Sequence, residues 1–440
     1  MRPYFIEPFP SRRLYAIAGW HNRHMTVTRG TVDARPLRVG LLGLGTVAGA
    51  VATQLLDERW QAHVSRRGLT PPRLVIVGVR EPARRRAVEI PDAVERTEDL
   101  PALAGRDDID VVVELLGGLQ PARGLIERAL EHGKSVITAN KMLLAEAGPA
   151  LEKATRLGGA TLRYEAAVAG GIPILGPLAR DLAANRVDRV RGIVNGTTNF
   201  ILSAMHEAGS DYGDALADAQ RRGYAEAEPA ADVEGRDAAH KLVLLARLAF
   251  GTWLEPSALL RTPSALKGEG MPGICGVTRA VVRAAAERGL AIKLVASAAL
   301  VEAAGSGDRL VGWVEPCAVP GRSTIGATDG VMNVVEVRGQ PLGRVAIRGP
   351  GAGGDATSSA VVGDILALAR GEGSTWAALP EAQAAATVDA GRSQPARWFH
   401  VSAEGRGVVT EVQPLEAVRR QLRDAGAASD TTIYRLLEDD

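Results

Sequence analysis

Short runs of consecutive apolar residues alternate with stretches of helical spacing along the first part of the chain. Residues 37–42, Leu-Arg-Val-Gly-Leu-Leu, read as a buried strand, followed by the Gly-rich segment Gly43–Gly49 and then a helix to about Leu56. Residues 61–72 read as a loop or helix extension closed by Pro71-Pro72. Further strands are predicted at 74–79, 109–115 and 135–138, with a helix at 121–132. Strands without polar alternation, separated by helices, imply burial on both faces, as in a doubly wound parallel sheet.

From about residue 161 the pattern changes. Strand-like runs at 161–165 and 187–194 are followed by helical spacing at 200–208, 211–222 and 235–250, then by strand-like runs near 310–315 and 331–337. This mixture predicts an α+β second part. A Gly-rich segment near residue 349 leads into a helix at 357–370, expected to return to the first part. The tail reads as a linker helix at 377–388, strands at 398–401, 408–412 and 431–437, and a helix at 414–425, a small βαβ-like module. No internal repeat is evident.

Composition narrows the classes. Lys and Arg number 52 against 51 Asp and Glu, so no broad positive field attracts nucleic acid. The two cysteines, Cys275 and Cys317, have no ligand-spaced partners. That argues against a disulfide framework or a zinc centre and fits a reducing cytoplasm. No apolar run is long enough to span a bilayer. Residues 1–36 follow no clear period and contain no apolar signal core. They read as a disordered leader, or as sequence upstream of a start at Met25.

The glycines carry the first chemistry. Gly43-x-Gly45-x-x-Ala48 lies between a predicted strand and a predicted helix, the context in which it becomes a dinucleotide fingerprint. Gly43 permits the tight turn, Gly45 lets pyrophosphate approach the backbone, and Ala48, in place of the commoner third glycine, keeps helix and sheet close. The helix N-terminus offers free N–H groups and the positive end of its dipole to phosphate. A ligand-free glycine turn is the alternative. The second strand ends at Arg80, with Arg84 to Arg86 following, and arginine there accommodates a 2′-phosphate. NADP is therefore expected; Glu81 is the counter-signal that keeps NAD open.

The densest polar cluster runs from Gly223 to Lys241 and continues into the apolar helix Leu242–Phe250. Asp237 and Lys241 are four residues apart and share a helix face. Lys241 stands where that helix must become buried, which would lower its proton affinity and suit it to give and take a proton. An exposed helix ion pair would show the same spacing. Glu226, Asp232 and Glu234 crowd the same approach, as a substrate ammonium would require. Lys141 follows a first-part strand, where ligand crevices open, although an ordinary solvated lysine fits that position equally.

Taken in order, Gly43-Leu-Gly45-Thr46-Val47, Thr138-Ala-Asn-Lys141, Glu165-Ala-Ala-Val168-Ala-Gly170-Gly171-Ile172-Pro173, Gly192-Ile-Val-Asn195-Gly196-Thr197-Thr198-Asn199-Phe200, the cluster from Glu226 to Lys241, and Gly349-Pro-Gly351-Ala-Gly353 resemble the motifs of homoserine dehydrogenases. The resemblance spans about residues 37–370. It implies interconversion of L-homoserine and L-aspartate 4-semialdehyde, on the route to threonine and methionine, with Lys241 as proton donor and acceptor. By position it implies Lys141 as a second active-site lysine that also meets substrate and cofactor, Glu226 and Asp232 toward the substrate amine, and Asp237 orienting the reacting oxygen. It implies cofactor contacts from Gly43, Leu44, Gly45, Thr46, Val47, Arg80 and Gly351. Glu165, with the carbonyls of Val168, Gly170 and Ile172, resembles the family's sodium site.

The organisation expected is a leader at 1–36, a Rossmann-type NAD(P)-binding domain at 37–165 and an α+β substrate, catalytic and dimerisation domain at 166–345. A Gly-rich loop and helix at 346–372 return to the nucleotide domain, and a short C-terminal α/β tail at 373–440 reads as a degenerate regulatory module. The tail lacks the length and the Asp-x-Pro-Gly start of the family's regulatory module, which leaves threonine inhibition open. A cytoplasmic homodimer or homotetramer is expected. The competing readings are another NAD(P)-dependent dehydrogenase of a small amino acid or semialdehyde, and a non-catalytic nucleotide-binding regulator. A regulator has no need of the four residues Lys141, Glu226, Asp237 and Lys241.

Overall fold

The computed structural model describes residues 35–81, 86, 88–260, 264–266, 270–303, 307–381 and 394–438. The expected leader at 1–36 lies almost wholly outside these residues, as do Arg84, Arg85 and most of the expected helix at 377–388. The first layer is a parallel sheet of β1 (Arg38–Leu42), β2 (Arg73–Gly78), β3 (Glu95–Thr97), β4 (Val111–Glu114), β5 (Ser135–Thr138) and β6 (Leu162–Arg163), in the order β3-β2-β1-β4-β5-β6. The order reverses at β1 and β4, so their carboxyl ends frame a crevice.

Helices α1 (Thr46–Leu56), α2 (Glu58–Arg66), α3 (Leu100–Ala104), α4 (Ala122–Glu131) and α5 (Lys141–Gly158) connect these strands. Ala48, Val51, Ala52 and Leu55 bury one face of α1 at helical spacing, against Val39 and Leu41 of β1. Each such aliphatic side chain contributes about 1.5–3 kcal/mol on full burial. Helix α5 is absent from the sequence reading, which stopped at Lys141; Leu143, Leu144 and Leu151 bury its inner face.

The second layer is mixed. Its helices are α6 (Leu175–Ala179), α7 (Gly196–Ala208), α8 (Tyr212–Arg221), α9 (Ala230–Val233), α10 (Arg236–Phe250), α11 (Pro256–Leu259) and α12 (Arg279–Ala286). Its strands are β7 (Arg186–Ile193), β8 (Ser264–Ala265), β9 (Leu290–Ala303), β10 (Gly307–Pro320), β11 (Met332–Gln340) and β12 (Gly343–Pro350). β9 escaped the sequence reading because its alanines carry little strand preference. It is a strand because β7 and β10 pair with it on both sides, and context overrides propensity there.

Helix α13 (Gly354–Ala369) packs on the first layer: Val361, Val362 and Ile365 share a core with Val39, Leu41 and Val51. The tail forms β13 (Arg397–Val401), β14 (Gly407–Val409), α14 (Leu415–Asp424) and β15 (Thr432–Leu436). It is not a free-standing βαβ unit. β13 and β15 run antiparallel, and the parallel neighbour of β15 is β10, so the tail extends the mixed sheet to β12-β11-β7-β9-β10-β15-β13-β14. Among the described residues no helix is long and apolar enough to cross a membrane.

Candidate active site

The crevice at the end of β1 is a cleft of about 770 Å³, lined among others by Gly43, Leu44, Gly45, Thr46, Arg80 and Glu81. Gly43 has φ +100, a conformation that excludes side chains, and a Cβ on Gly45 would meet nothing within 4 Å, so that backbone is open to the cleft. Gly45 also stands at the N-terminus of α1, whose free N–H groups face anions. Arg86 lines the same cleft. Val47 does not line it; it packs on the core beneath. Gly351 is not a lining residue either: a Cβ there would lie 2.1 Å from the Asn333 carboxamide. The second Gly-rich loop nonetheless abuts the first, since a Cβ on Gly354 would lie 3.1 Å from Thr46.

Residues that the sequence reading missed shape the neighbouring rim. Glu114 ends β4 fully buried and accepts from the Leu116 and Gly117 N–H groups and from the Thr138 hydroxyl, at 2.8, 3.1 and 2.6 Å. Asn140 caps α5 by accepting from Leu143 N, and donates to Gly118 O at 2.6 Å. One buried carboxylate and one cap thus fix where Lys141 emerges. A charged residue closing an apolar strand was the available signal for Glu114.

Asp237 gathers the catalytic candidates. Its Oδ1 lies 3.1 Å from Lys141 Nζ and its Oδ2 2.8 Å from Lys241 Nζ. Asn195 Nδ2 donates to the same Oδ2 at 2.8 Å and to Asp232 Oδ1 at 2.7 Å. Lys241 also donates to Val194 O at 2.6 Å. The exposed helix pair is excluded, because both Asp237 and Lys241 are buried. Burial pushes the Lys241 ammonium below the ordinary lysine range, against the opposing pull of Asp237. The Asp237 charge holds Lys141 above that range, despite desolvation. Burial alone would raise the Asp237 carboxyl, but the two lysines outweigh it and hold it well below the usual carboxylate range. Burial, and then the Asp237 charge, raise Asp232. Two neighbouring amines therefore differ in proton affinity, the arrangement that proton transfer needs.

Glu226 is exposed, and its charge acts on Lys141. Glu234 instead faces Arg236 at 3.0 Å, and His240 reaches Glu146 at 3.5 Å. At the loop after β6, the Glu165 carboxylate accepts from the N–H groups of Ile174 and Leu175 at Oε1 and of Gly176 at Oε2. Burial and the nearby Asp364 raise its proton affinity. The Glu165 carbonyl accepts from Val168 N at 3.5 Å. Among the described residues no donor reaches the buried carbonyls of Val168, Gly170 and Ile172. Ala169 holds φ 54, and a Cβ on Gly170 would meet Gly351 O at 2.6 Å, so this loop keeps a strained, close-packed backbone.

Known proteins resemble this chain over most of its length. The family model described as homoserine dehydrogenase matches residues 173–366, and the model described as that family's NAD-binding domain matches residues 43–165. The chain is 42% identical over 338 residues to a homoserine dehydrogenase of Mycobacterium bovis, covering 77% of this chain and 73% of the relative. It is 36% identical over 420 residues to one of Corynebacterium glutamicum, covering 91% and 90%. A solved homoserine dehydrogenase from Thiobacillus denitrificans aligns with a TM-score of 0.80 at 32% identity, covering 92% of this chain and 99% of that one.

Proposed function

The chain belongs to the homoserine dehydrogenase family and is an NAD(P)-dependent oxidoreductase of homoserine, and from that premise we propose that Lys241 transfers the proton in the interconversion of L-homoserine and L-aspartate 4-semialdehyde. The observation that carries this reading is the Lys241–Asp237–Lys141 cluster, with Asp237 and Lys241 buried and Lys141 partly exposed, in which burial lowers one amine and a carboxylate raises the other. The nicotinamide cofactor, when bound, supplies the hydride chemistry. In oxidation, the neutral amine of Lys241 takes the hydroxyl proton as the carbonyl forms, and Asp237 stabilises the resulting ammonium. In reduction the same ammonium returns the proton to the forming alkoxide. Val194 O and Asp237 engage the Lys241 ammonium, which leaves one N–H for the substrate oxygen. Lys141 stays protonated and polarises the substrate. Glu226 and Asp232 take its ammonium group.

The finer assignments are proposals of the same kind. Gly43, Leu44, Gly45 and Thr46 would hold the cofactor phosphates. Arg80 and Arg86, on the same cleft, favour NADP over NAD. Glu165, with the carbonyls of Val168, Gly170 and Ile172, fits a hard monovalent cation such as sodium, which would fix the loop between β6 and α6. The domain boundaries at 37–165, 166–345, 346–372 and 373–440, a cytoplasmic location, and a homodimer or homotetramer built through the substrate domain complete the reading.

The test compares NADPH and NADH consumption with L-aspartate 4-semialdehyde, and NADP and NAD reduction with L-homoserine. Wild-type enzyme should turn over in both directions with higher kcat/KM for NADP. Lys241→Ala should bind cofactor normally and lose turnover by roughly 10²–10⁴-fold. Full turnover in that variant would remove Lys241 from the mechanism, and a clear NAD preference would overturn the cofactor assignment.

A further inference from the structure

Asn195 follows β7 by two residues and caps α7, and both ends of its carboxamide are hydrogen-bonded. Its Oδ1 faces two donors of the first helical turn, Thr198 N at 2.9 Å and Thr198 Oγ1 at 3.0 Å. Those donors fix the orientation of the amide, so the NH₂ group must face the other way. Its two hydrogens go to two different carboxylates, Asp232 Oδ1 at 2.7 Å and Asp237 Oδ2 at 2.8 Å. The residue is 4% exposed, so water does not share these bonds.

Capping does not explain the choice of residue. Asp and Ser cap helices about as well as Asn. An aspartate would set a third carboxylate against Asp232 and Asp237, and a serine would keep the cap but could not bridge the pair. The bridge also joins two functions proposed above, since Asp232 faces the substrate amine and Asp237 holds Lys241.

We propose that Asn195 is a positioning residue: its carboxamide holds Asp232 and Asp237 as one unit and shares Asp237 Oδ2 with the Lys241 ammonium. This rests on the reading of Lys241 as the proton-transfer group. Asp237 Oδ2 accepts from both Asn195 and Lys241. Removing one donor strengthens the pull of that oxygen on the other, which keeps the Lys241 ammonium protonated to higher pH. The charged groups facing Lys241 are Asp237 on its own helix, Lys141 from α5 and Asp232 from α9. Glu226 acts on Lys141, and His240 lies near Glu146 and Lys141. Replacing Asn195 leaves all of these groups in the chain and removes one hydrogen-bond donor from each of Asp232 and Asp237.

The experiment is the pH profile of kcat/KM for L-homoserine oxidation in wild type, Asn195→Ser and Asn195→Asp, with the NADP Kd and the unfolding midpoint measured alongside. Asn195→Ser should move the ascending limb up by about 0.5–1 pH unit and lower kcat/KM at neutral pH by roughly tenfold. Its NADP Kd should stay near wild type, while the unfolding midpoint falls with the loss of two buried hydrogen bonds to carboxylates. Asn195→Asp keeps the cap, adds a charge and should move the limb further up. A limb that stays in place in both variants overturns the proposal, whatever happens to stability, because a structural cap would not move it. The failure of the Lys241 reading is separately visible: Lys241→Ala would then keep the wild-type limb and turnover.

Discussion

Asp237 serves three partners with two oxygens, and the sign of each contribution can be worked out. Its folded proton affinity lies below the unfolded value, so it stabilises the fold above the ordinary aspartate range, and that contribution is lost as pH falls through the folded value. Asp237→Asn keeps the shape and removes the charge. Lys241 would then feel burial and the Lys141 charge without their counterweight, and its proton affinity should fall further. The ascending limb of homoserine oxidation should move down by about one pH unit, the opposite direction to Asn195→Ser, while kcat falls by roughly 10–100-fold. A limb that moves upward in Asp237→Asn would show that Asp237 does not face Lys241 as described. The i, i+4 spacing made Asp237 and Lys241 legible in the sequence. Lys141 was legible as a residue after a strand and through the family resemblance, but nothing local states that it meets Asp237. Asn195 was legible only as one residue of the Gly192–Phe200 motif, since an Asn-Gly pair gives the same signal whether or not its carboxamide has work beyond the cap.

At the scale of elements, the site depends on how α5 lies against α10, since Lys141 opens one helix and Lys241 sits in the other. Glu152 on α5 clamps them. It is fully buried and accepts from Arg247 Nε and Nη2 of α10 at 3.0 and 2.7 Å, from Trp253 Nε1 at 2.9 Å, and from Arg156 on its own helix. Arg247 is itself fully buried, so removing the carboxylate strands a guanidinium in the interior. Glu152→Ala should destabilise the fold by about 3–5 kcal/mol in urea unfolding, with loss of turnover following the loss of structure. An unfolding midpoint within error of wild type would mean that the helix pair is held by its apolar contacts alone. The periodic helix α10 was legible because its apolar face is continuous. Helix α5 was not read, and the long strand β9 was hidden by alanines, whose local preference does not reveal that strands lie on both sides.

At the scale of the whole molecule, the tail decides whether the catalytic sheet ends at β10 or continues. Arg435 on β15 answers through its contacts. Its guanidinium lies 5.3 Å from the ring centre of Trp313 on β10 and 4.7 Å from that of Trp398 on β13, and its Nε donates to Glu315 at 2.7 Å. One cation thus joins the substrate sheet to the tail through two aromatic faces and a carboxylate. The ordered motifs between residues 37 and 370 made the family and the two-layer plan legible, but strand order is a long-range property, and the tail's short strands carried no sign that β10 was their neighbour. Arg435→Ala should lower stability by about 2–4 kcal/mol, because it removes both stacks and leaves Glu315 unpaired. Arg435→Lys, which keeps the charge but loses the planar stack, should fall between that variant and wild type. Because the tail continues the sheet, urea unfolding of the substrate layer and of the tail should remain a single transition, with NADP affinity unchanged under native conditions. A separate early transition confined to the tail, with the main midpoint unmoved, would instead identify residues 394–438 as an independent module that merely rests on β10.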